Sequence, residues 1–398
     1  MARTARRTSR SREREEALAA ARAVRVPRAA DVVVVGGGAS GLAAAVAAAE
    51  AGAHVVALER DVAFGRRLLA TGNGRCNLAN ARLAWGRYND AAFVEAVCGT
   101  PEGFLADVLA FFEGCGLAVA EEGGGRIYPL SRQASSVREV LLARARRAGV
   151  VMAAAREVTG IAQDEVSFDE DGRRLSVSAG AVVVAAGGGE GLVSGLGLAC
   201  APYEPVLCSL ACRPATPEVD LRALDGRRAH VVARLLREGA EVAREEGEAL
   251  FRAYGVSGIV AFDLSRHARP GDVVSLDLTC GMDERRAGEL VRAAGGACGL
   301  LDPVVAAALG PDAARRARDL RLVVSGPAEP ERAQVTRGGL VTAQFSPKTL
   351  EARAVPGLFA CGEALDVDGA CGGFNLAWAW KSGLVAGASA AARAVAGR

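Results

Sequence analysis

The chain has 398 residues, 51% of them hydrophobic, with a mean hydropathy of +0.18, which supplies cores for two or three domains and excludes wholesale disorder. A net charge of +2 argues against a polyanion-binding body. The ten cysteines are scattered without a CxxC pair, so a zinc ribbon and a thioredoxin-like motif are excluded, and a reduced, cytoplasmic chain fits better than a disulfide framework.

Residues 1–29 stand apart. The first 28 carry nine arginines beside Glu13, Glu15 and Glu16, with no apolar stretch of the kind a secretion signal needs. They read as a disordered or frayed helical tail, the sharper alternative being a nucleic-acid or membrane-surface arm. Val32–Val35 is a short apolar run expected of a parallel strand buried on both faces, followed by an alanine-rich helix to Ala51 with Gly52 at its C′ position. His54–Glu59 is the next strand and completes a βαβ unit. The uncharged run Val32–Ala49 is broken by Gly36, Gly37, Gly38 and Gly41, so it reads as strand–turn–helix and not as a membrane span. Residues 60–80 form a polar, glycine-rich loop with too few apolar positions for core. One helix is expected over 90–116, with Phe104, Leu105, Val108, Leu109, Phe111 and Phe112 as its apolar positions, and another over Ser135–Ala148. Short strands follow near Val150–Ala154 and Ser176–Ser178, then a buried strand Ala181–Ala186 running into Gly187-Gly188-Gly189. From about residue 200 the segments Arg227–Leu236, Glu241–Arg244 and Asp272–Leu278 alternate as antiparallel strands do, around a helical stretch Asp283–Arg318. After Gln334 the first texture returns: a strand at Gly357–Cys361, a glycine-rich loop and an alanine-rich helix. The expected organisation is an α/β domain over 30–195 and 335–398, interrupted by a β domain over 196–334 with a helical part near 281–319.

Gly36-Gly37-Gly38-Ala39-Ser40-Gly41 is the one GxGxxG in the chain, and it sits between a strand and a helix. Gly36 makes the tight turn, Gly38 lets the backbone approach a pyrophosphate, and Gly41 allows close helix–strand packing. The helix start offers N–H groups and its positive dipole end to phosphates. Glu59, at the end of the next strand, is placed to accept from ribose hydroxyls. The bland alternative is a generic βαβ turn. The fingerprint does not separate NAD from FAD. A single such unit, revisited by Val182–Gly189 and by Leu358–Asp366, suits the longer FAD.

Seven segments carry a family resemblance: VVVVGGGASGLAAA (32–45), GRRLLATGNGRCNLAN (65–80), GGRIYPLSRQASSV (124–137), EALFRAYGVSGIVAFDLSR (248–266), AQVTRGGL (333–340), FSPKTLEAR (345–353) and GLFACGEALDVDGACGGFNLAWAWKSG (357–383). In these, residues 31–398 resemble bacterial FAD-dependent oxidoreductases labelled NAD(P)/FAD-dependent or aminoacetone-oxidase-family enzymes, a family that includes a bile-acid 3-dehydro-Δ4,6-reductase. The resemblance implies a two-dinucleotide-type, Rossmann-like FAD domain with an inserted antiparallel β-barrel, itself interrupted by a small helical domain. It implies that Gly36, Gly38, Ala39, Ser40, Gly41, Glu59, Arg60 and Arg66 meet the adenosine and pyrophosphate part. It places Gly72, Gly74, Arg75, Cys76 and Asn77 in a loop beside flavin and pyrophosphate, and Val158 where backbone meets adenine. Gly187, Gly362, Glu363 and Asp366 fall near the ribityl chain, and Gly372, Gly373, Phe374 and Asn375 start the helix under the isoalloxazine. That helix start would put partial positive charge at the flavin N1/O2 edge. The stretch 189–205 is shorter than in relatives, where it contributes to the active-site rim.

Other candidates are weighed against simpler roles. Cys76, Cys361 and Cys371 fall in flavin-lining segments and read as small buried hydrophobes before redox partners. His54, His230 and His267 have no ligand partner at helical spacing, so no metal is expected. Of Trp378 and Trp380, one is expected in the core and the other at the cofactor or an oligomer surface. The sequence assigns no catalytic residue and no oligomeric state. The expected function is an FAD-dependent oxidoreductase, reduced by NAD(P)H and passing hydride to an unsaturated or conjugated carbonyl small molecule. The alternatives are an oxygen-using oxidase of a small amine or ketone, and a tRNA-associated flavoprotein, with nucleic-acid binding disfavoured by the charge balance.

Overall fold

The computed structural model describes residues 15–162, 164–187, 190–310 and 312–397. The chain divides into two compact units: one runs up to Tyr203 and resumes at Thr336, the other is Glu204–Val335.

The first unit is built on a mixed sheet. Strand β1 (Ala29–Val35) leads through helix α2 (Ala39–Glu50) to β2 (Val55–Leu58), with residues 15–23 preceding as helix α1. A two-residue strand β3 (Ala79–Asn80), helices α3 (Ala91–Cys98) and α4 (Pro101–Gly114), the hairpin β4 (Val119–Glu122) and β5 (Arg126–Pro129), and helix α5 (Ala134–Arg147) come next. Strands β6 (Val151–Ala153), β7 (Glu157–Ile161), β8 (Glu165–Glu170) and the long β9 (Arg173–Val184) follow, then the single turn α6 (Glu190–Val193) and β10 (Cys200–Val206).

The second unit is a closed barrel of β11 (Ser209–Pro214), β12 (Arg228–Arg237), β13 (Ala240–Arg252), β14 (Gly255–Ser257), β15 (Val273–Asp277) and β16 (Leu320–Ala328), joined in the order β11-β14-β13-β12-β15-β16 by antiparallel pairing. Helix α7 (Ile259–Ser265) lies between β14 and β15. Helices α8 (Glu284–Ala294), α9 (Pro303–Ala308) and α10 (Ala313–Arg316) interrupt the barrel between β15 and β16. Val231, Ala233, Leu235, Ala249, Phe251, Val274 and Leu276 fill its core. The chain then returns to the first unit through β17 (Val335–Leu340), which pairs with β10, and ends in β18 (Leu358–Ala360) and the 23-residue helix α11 (Phe374–Ala396).

Parallel pairing runs β6-β2-β1-β9-β18, so the five strands stand in the order 3-2-1-4-5 of a doubly wound nucleotide fold. Val32–Val35 and Ala181–Val184 are apolar at every position and all are buried, as strands covered on both faces require. Helix α11 lies on α2 with almost no side chain between them: a Cβ on Gly387 would stand 2.2 Å from the Ala44 carbonyl oxygen, and one on Gly383 2.4 Å from that of Ser40.

Besides joining the strands expected at Ser176–Ser178 and Ala181–Ala186 into the single β9, the structure departs from the sequence expectations in four places. The single helix expected over 90–116 is two, because Gly99 turns left-handed (φ +81°), Thr100 caps with its hydroxyl on Gly103 N, and Pro101 fits only a first turn. The loop 60–80 is not all surface: Leu68, Cys76, Leu78 and Ala79 are core. Trp378 and Trp380 are both buried; the first donates to the Gly362 carbonyl and the second to that of Leu78, and their indoles meet Phe93 and Phe112 edge-on. A 23-residue helix under a sheet has room to bury two faces.

The tail is the fourth. Residues 1–14 lie outside the described residues, but 15–29 are not disordered. Ala21 is buried, Val24 and Val26 pack on the core, and the Val24 carbonyl accepts from the guanidinium of Arg156. Arg156 is itself buried and paired with Glu170, so the segment closes over a charge that needs acceptors. Charge counting hid this short apolar face. Deleting residues 2–28 is therefore expected to lower the melting temperature by roughly 2–5 °C, about the loss of one charged hydrogen bond with its cover. Thermal unfolding of the truncated protein checks it; deletion of 2–14 alone is the control.

Candidate functional site

The site grows from the turn after β1. Gly36 has φ +109°, and a Cβ there would stand 2.7 Å from the Ala185 carbonyl oxygen. At Gly37 a Cβ would meet the Phe64 ring at 2.3 Å, and at Gly41 the Gly36 carbonyl oxygen at 1.8 Å. These three are closed in by protein. Gly38 is not: nothing lies within 4 Å of its Cβ position, although its φ of −79° would accept any residue. Gly38 is also the N-cap of α2, which has no side-chain cap and no acidic residue in its first turn. Unsatisfied N–H groups and the positive end of the helix dipole therefore face an open space. Ala39 is half-buried, while Ser40 is buried at the contact with Gly362.

Glu59, at the end of β2, accepts from Gly37 N (2.6 Å) and Asp61 N (2.8 Å), one on each oxygen. The carboxylate is held in place with a further lone pair on each oxygen. Arg60 is exposed, and Arg66 is engaged by Asp61 through two 2.8 Å contacts. Val158 is buried in β7, in register with Phe168.

A second group of residues converges on the start of α11. Gly72, Gly74 and Cys76 all carry left-handed φ, which coils the Gly72–Asn77 loop on itself. Arg75 lies 4.7 Å over the Tyr128 ring and 3.5 Å from Glu122. The Asn77 Oδ1 is occluded and unpartnered, 2.9 Å from where a Cβ on Gly373 would stand. Asn80 donates to the Gly372 carbonyl at 2.8 Å. Asn375 turns back onto the peptide of Gly369, accepting from its N–H and donating to its carbonyl, and Phe374 packs edge-on against Tyr88. Both side chains are committed to the fold, so this end of α11 presents the glycine backbone at 372–373, again with no side-chain cap.

Between the two turns stands the Gly362 peptide, its N–H on Ser382 Oγ (2.9 Å) and its carbonyl on the Trp378 indole (3.2 Å). A Cβ on Gly187 would lie 3.1 Å from Glu363 Oε2. Burial raises the Glu363 carboxyl above the usual carboxylate range, and the Arg67 charge opposes that shift. Asp366 accepts from Gly338 N at 3.1 Å. The fully buried Asp368 is gripped by Arg337 at 2.7 and 3.1 Å. Asn89 links this acidic pair, donating to the Asp366 carbonyl and accepting from Asp368 N.

Asn80, Asn89, Tyr128, Arg337 and Asp368 were not singled out from the sequence. Four of them fall inside the quoted family segments, and their polar type in glycine-rich surroundings was the available signal. Burial pushes the Cys76 thiol up to about 11 and that of Cys361 to about 12, so both stay protonated at neutral pH and are poor nucleophiles. No group of three or more metal-ligating side chains occurs among the described residues. No helix among them is long and apolar enough to cross a membrane.

An FAD fits this arrangement. The open, uncapped turn at Gly38 suits a pyrophosphate, the held Glu59 carboxylate suits a ribose diol, and both lie at the C-terminal ends of parallel strands.

The model of the HI0933-like protein Rossmann domain matches residues 30–389. A 3-dehydro-bile acid delta(4,6)-reductase from Clostridium scindens is 32% identical over 90% of this chain and 98% of its own length. A ribosomal RNA dihydrouridine synthase from Escherichia coli is 26% identical over 88% of this chain and 96% of its own. Among solved structures, the open conformation of a flavocytochrome c3 fumarate reductase shares the fold with a TM-score of 0.51 at 16% identity, covering 97% of this chain and 81% of that one. The chain thus belongs to the HI0933-like Rossmann-domain family, and its first unit is a Rossmann-type FAD-binding domain.

Proposed function

We propose that this flavin-dependent oxidoreductase takes electrons from NAD(P)H and reduces a small molecule carrying a conjugated carbonyl group. The observation that carries the reading is the pair of uncapped helix starts in one unit, at Gly38 and at Gly373. The first binds the pyrophosphate through α2 N–H groups, with Glu59 on the adenosine ribose and the backbone near Val158 on the adenine. The second turns positive backbone dipole toward the pyrimidine edge of the isoalloxazine, beside the Gly72–Asn77 loop. Gly187, Gly362, Glu363 and Asp366 lie along the ribityl chain between them. Bound FAD supplies hydride chemistry; the chain supplies position, charge and a dry surround. The 32% identical reductase, which spans nearly all of this chain, supports the reductive direction and a conjugated, apolar substrate.

A second reading has relatives behind it: two that carry a ribosomal RNA dihydrouridine synthase name. Charge weighs against it. The first 28 residues hold a net +6, so residues 29–398 hold a net −4 and give a polyanion little to bind. RNA binding that persists without the tail at 150 mM salt would favour the second reading.

Two tests follow. Gly38→Val fills the open space at the turn without straining the backbone, so the purified variant is expected to fold yet carry less than about a tenth of the wild-type FAD, a loss of roughly 1.4 kcal/mol or more in binding. Absorbance at 450 nm per protein, with circular dichroism as the folding control, checks this; full flavin content overturns the pyrophosphate assignment. For direction, the holoenzyme reduced anaerobically with NADPH or NADH is mixed with either a 3-oxo-4-ene steroid or aerated buffer. Faster reoxidation by the enone is expected. Stoichiometric peroxide with no response to any enone would make the protein an oxidase.

A further inference from the structure

Reduction of a conjugated double bond needs a proton as well as a hydride, and of the groups assigned so far only the buried Glu363 carboxyl, placed along the ribityl chain, is raised toward holding one. The Cys76 and Cys361 thiols are sealed in the core, and the carboxylates of Asp366 and Asp368 are taken up by Gly338 N and Arg337. Tyr128 differs. It is 97% buried, yet its hydroxyl makes no hydrogen bond among the described residues, whereas Tyr88 donates to the Phe374 carbonyl and Tyr254 to Glu329. A phenol this deep normally finds a partner, because leaving one unpaired costs about 1–3 kcal/mol. The Tyr128 hydroxyl is also not among the occluded, unpartnered side-chain atoms.

Its surroundings are those of the candidate site. A Cβ on Gly72 would stand 3.5 Å from Tyr128 Cε1 and 3.0 Å from Asn77 N. The Arg75 guanidinium lies over the ring. Strand β5 is in register with β3, whose Asn80 holds the Gly372 carbonyl at the start of α11. A ring clamped on one face, in a strand tied to the glycine turn, with a free hydroxyl, is a placed donor.

We infer that Tyr128 donates a hydrogen bond to the conjugated-carbonyl substrate and delivers the proton that completes its reduction. This rests on the function proposed above. The substrate's β carbon receives the hydride, from reduced flavin as the named reductant. The electron pair of the double bond moves to the α carbon, which takes the proton as the Tyr128 O–H bond breaks; water then restores the phenol. The double bond is reduced by two electrons, and one hydride and one proton are consumed.

The test compares wild-type and Tyr128→Phe holoenzymes. Because the hydroxyl has no partner among the described residues, FAD content and melting temperature are expected to be unchanged. A 3-oxo-4-ene steroid, titrated against the oxidised holoenzyme and read by flavin absorbance, is expected to bind about 10-fold more weakly to the variant, one hydrogen bond's worth. Reoxidation of the reduced enzyme by the steroid should slow by roughly 10²–10⁴-fold and lose its solvent deuterium isotope effect, while reoxidation by oxygen keeps its rate. Equal steroid affinities, steroid reoxidation within threefold of wild type, or a variant that loses FAD and several degrees of melting temperature would each overturn the assignment. A wild type that binds the steroid but never reduces it would sink the proposed function alone, with the affinity comparison still deciding the role of Tyr128.

Discussion

The contact of α2 with α11 is the constraint on which the first unit depends. Two helices normally stand 8–10 Å apart because side chains hold them off. Here Gly383 and Gly387 face the carbonyls of Ser40 and Ala44 with no room for a methyl group, so backbone rests on backbone. The depth of that contact sets the height at which both helices leave the sheet. It also brings Gly362 onto Ser40, where a Cβ would stand 2.4 Å from the hydroxyl. The turn at Gly38 and the turn at Gly373 are thereby held to one frame.

Around this contact the polar groups are used as braces. Trp378 and Ser382 grip one peptide from above, Asn80 and Asn375 secure the loop before α11, and Arg337 neutralises a carboxylate that has no access to water. A buried ion pair adds little net stability by itself, but removing either member leaves an uncompensated charge at a cost of about 3–5 kcal/mol. The loop 366–375 is thus held by groups that tolerate few alternatives, which suits a loop that must present backbone atoms to a ligand.

Much of this could be read in the residues. Val32–Val35, the glycines that follow, and Glu59 specify a nucleotide-binding unit because burial on both faces, a tight turn and a terminal carboxylate each leave a local mark. The barrel showed as alternation in Arg227–Leu236 and Asp272–Leu278, and the helical interruption as an Ala–Leu–Arg texture. What stayed hidden has a common cause: it depends on partners distant in sequence. Residues 15–29 look like a charged tail until Arg156 is seen to need the Val24 carbonyl. Trp378 and Trp380 stand two residues apart on one helix, and it takes Phe93 of α3, Phe112 of α4 and the carbonyls of Gly362 and Leu78 to bury both. Tyr128 is one aromatic residue in a strand, and its distinction is a hydrogen bond it lacks. The break at Gly99-Thr100-Pro101, by contrast, was local and legible: a glycine, a cap and a proline in a row outweigh a continuous apolar period.

The order of elements along the chain has a consequence for how the molecule comes into being. Part of what completes this unit, β18 beside β9 and α11 packed on α2 through its glycines, is translated after the barrel. When the first 203 residues have left the ribosome, the alanine face of α2 has no cover and the sheet lacks an edge. The 132 residues of Glu204–Val335 must be made before that cover exists, which at about 5–20 residues per second is an interval of roughly ten seconds. The barrel, continuous in sequence, can close during that wait. The nascent nucleotide domain is then the species with exposed apolar surface, and the one that a ribosome-associated chaperone would hold.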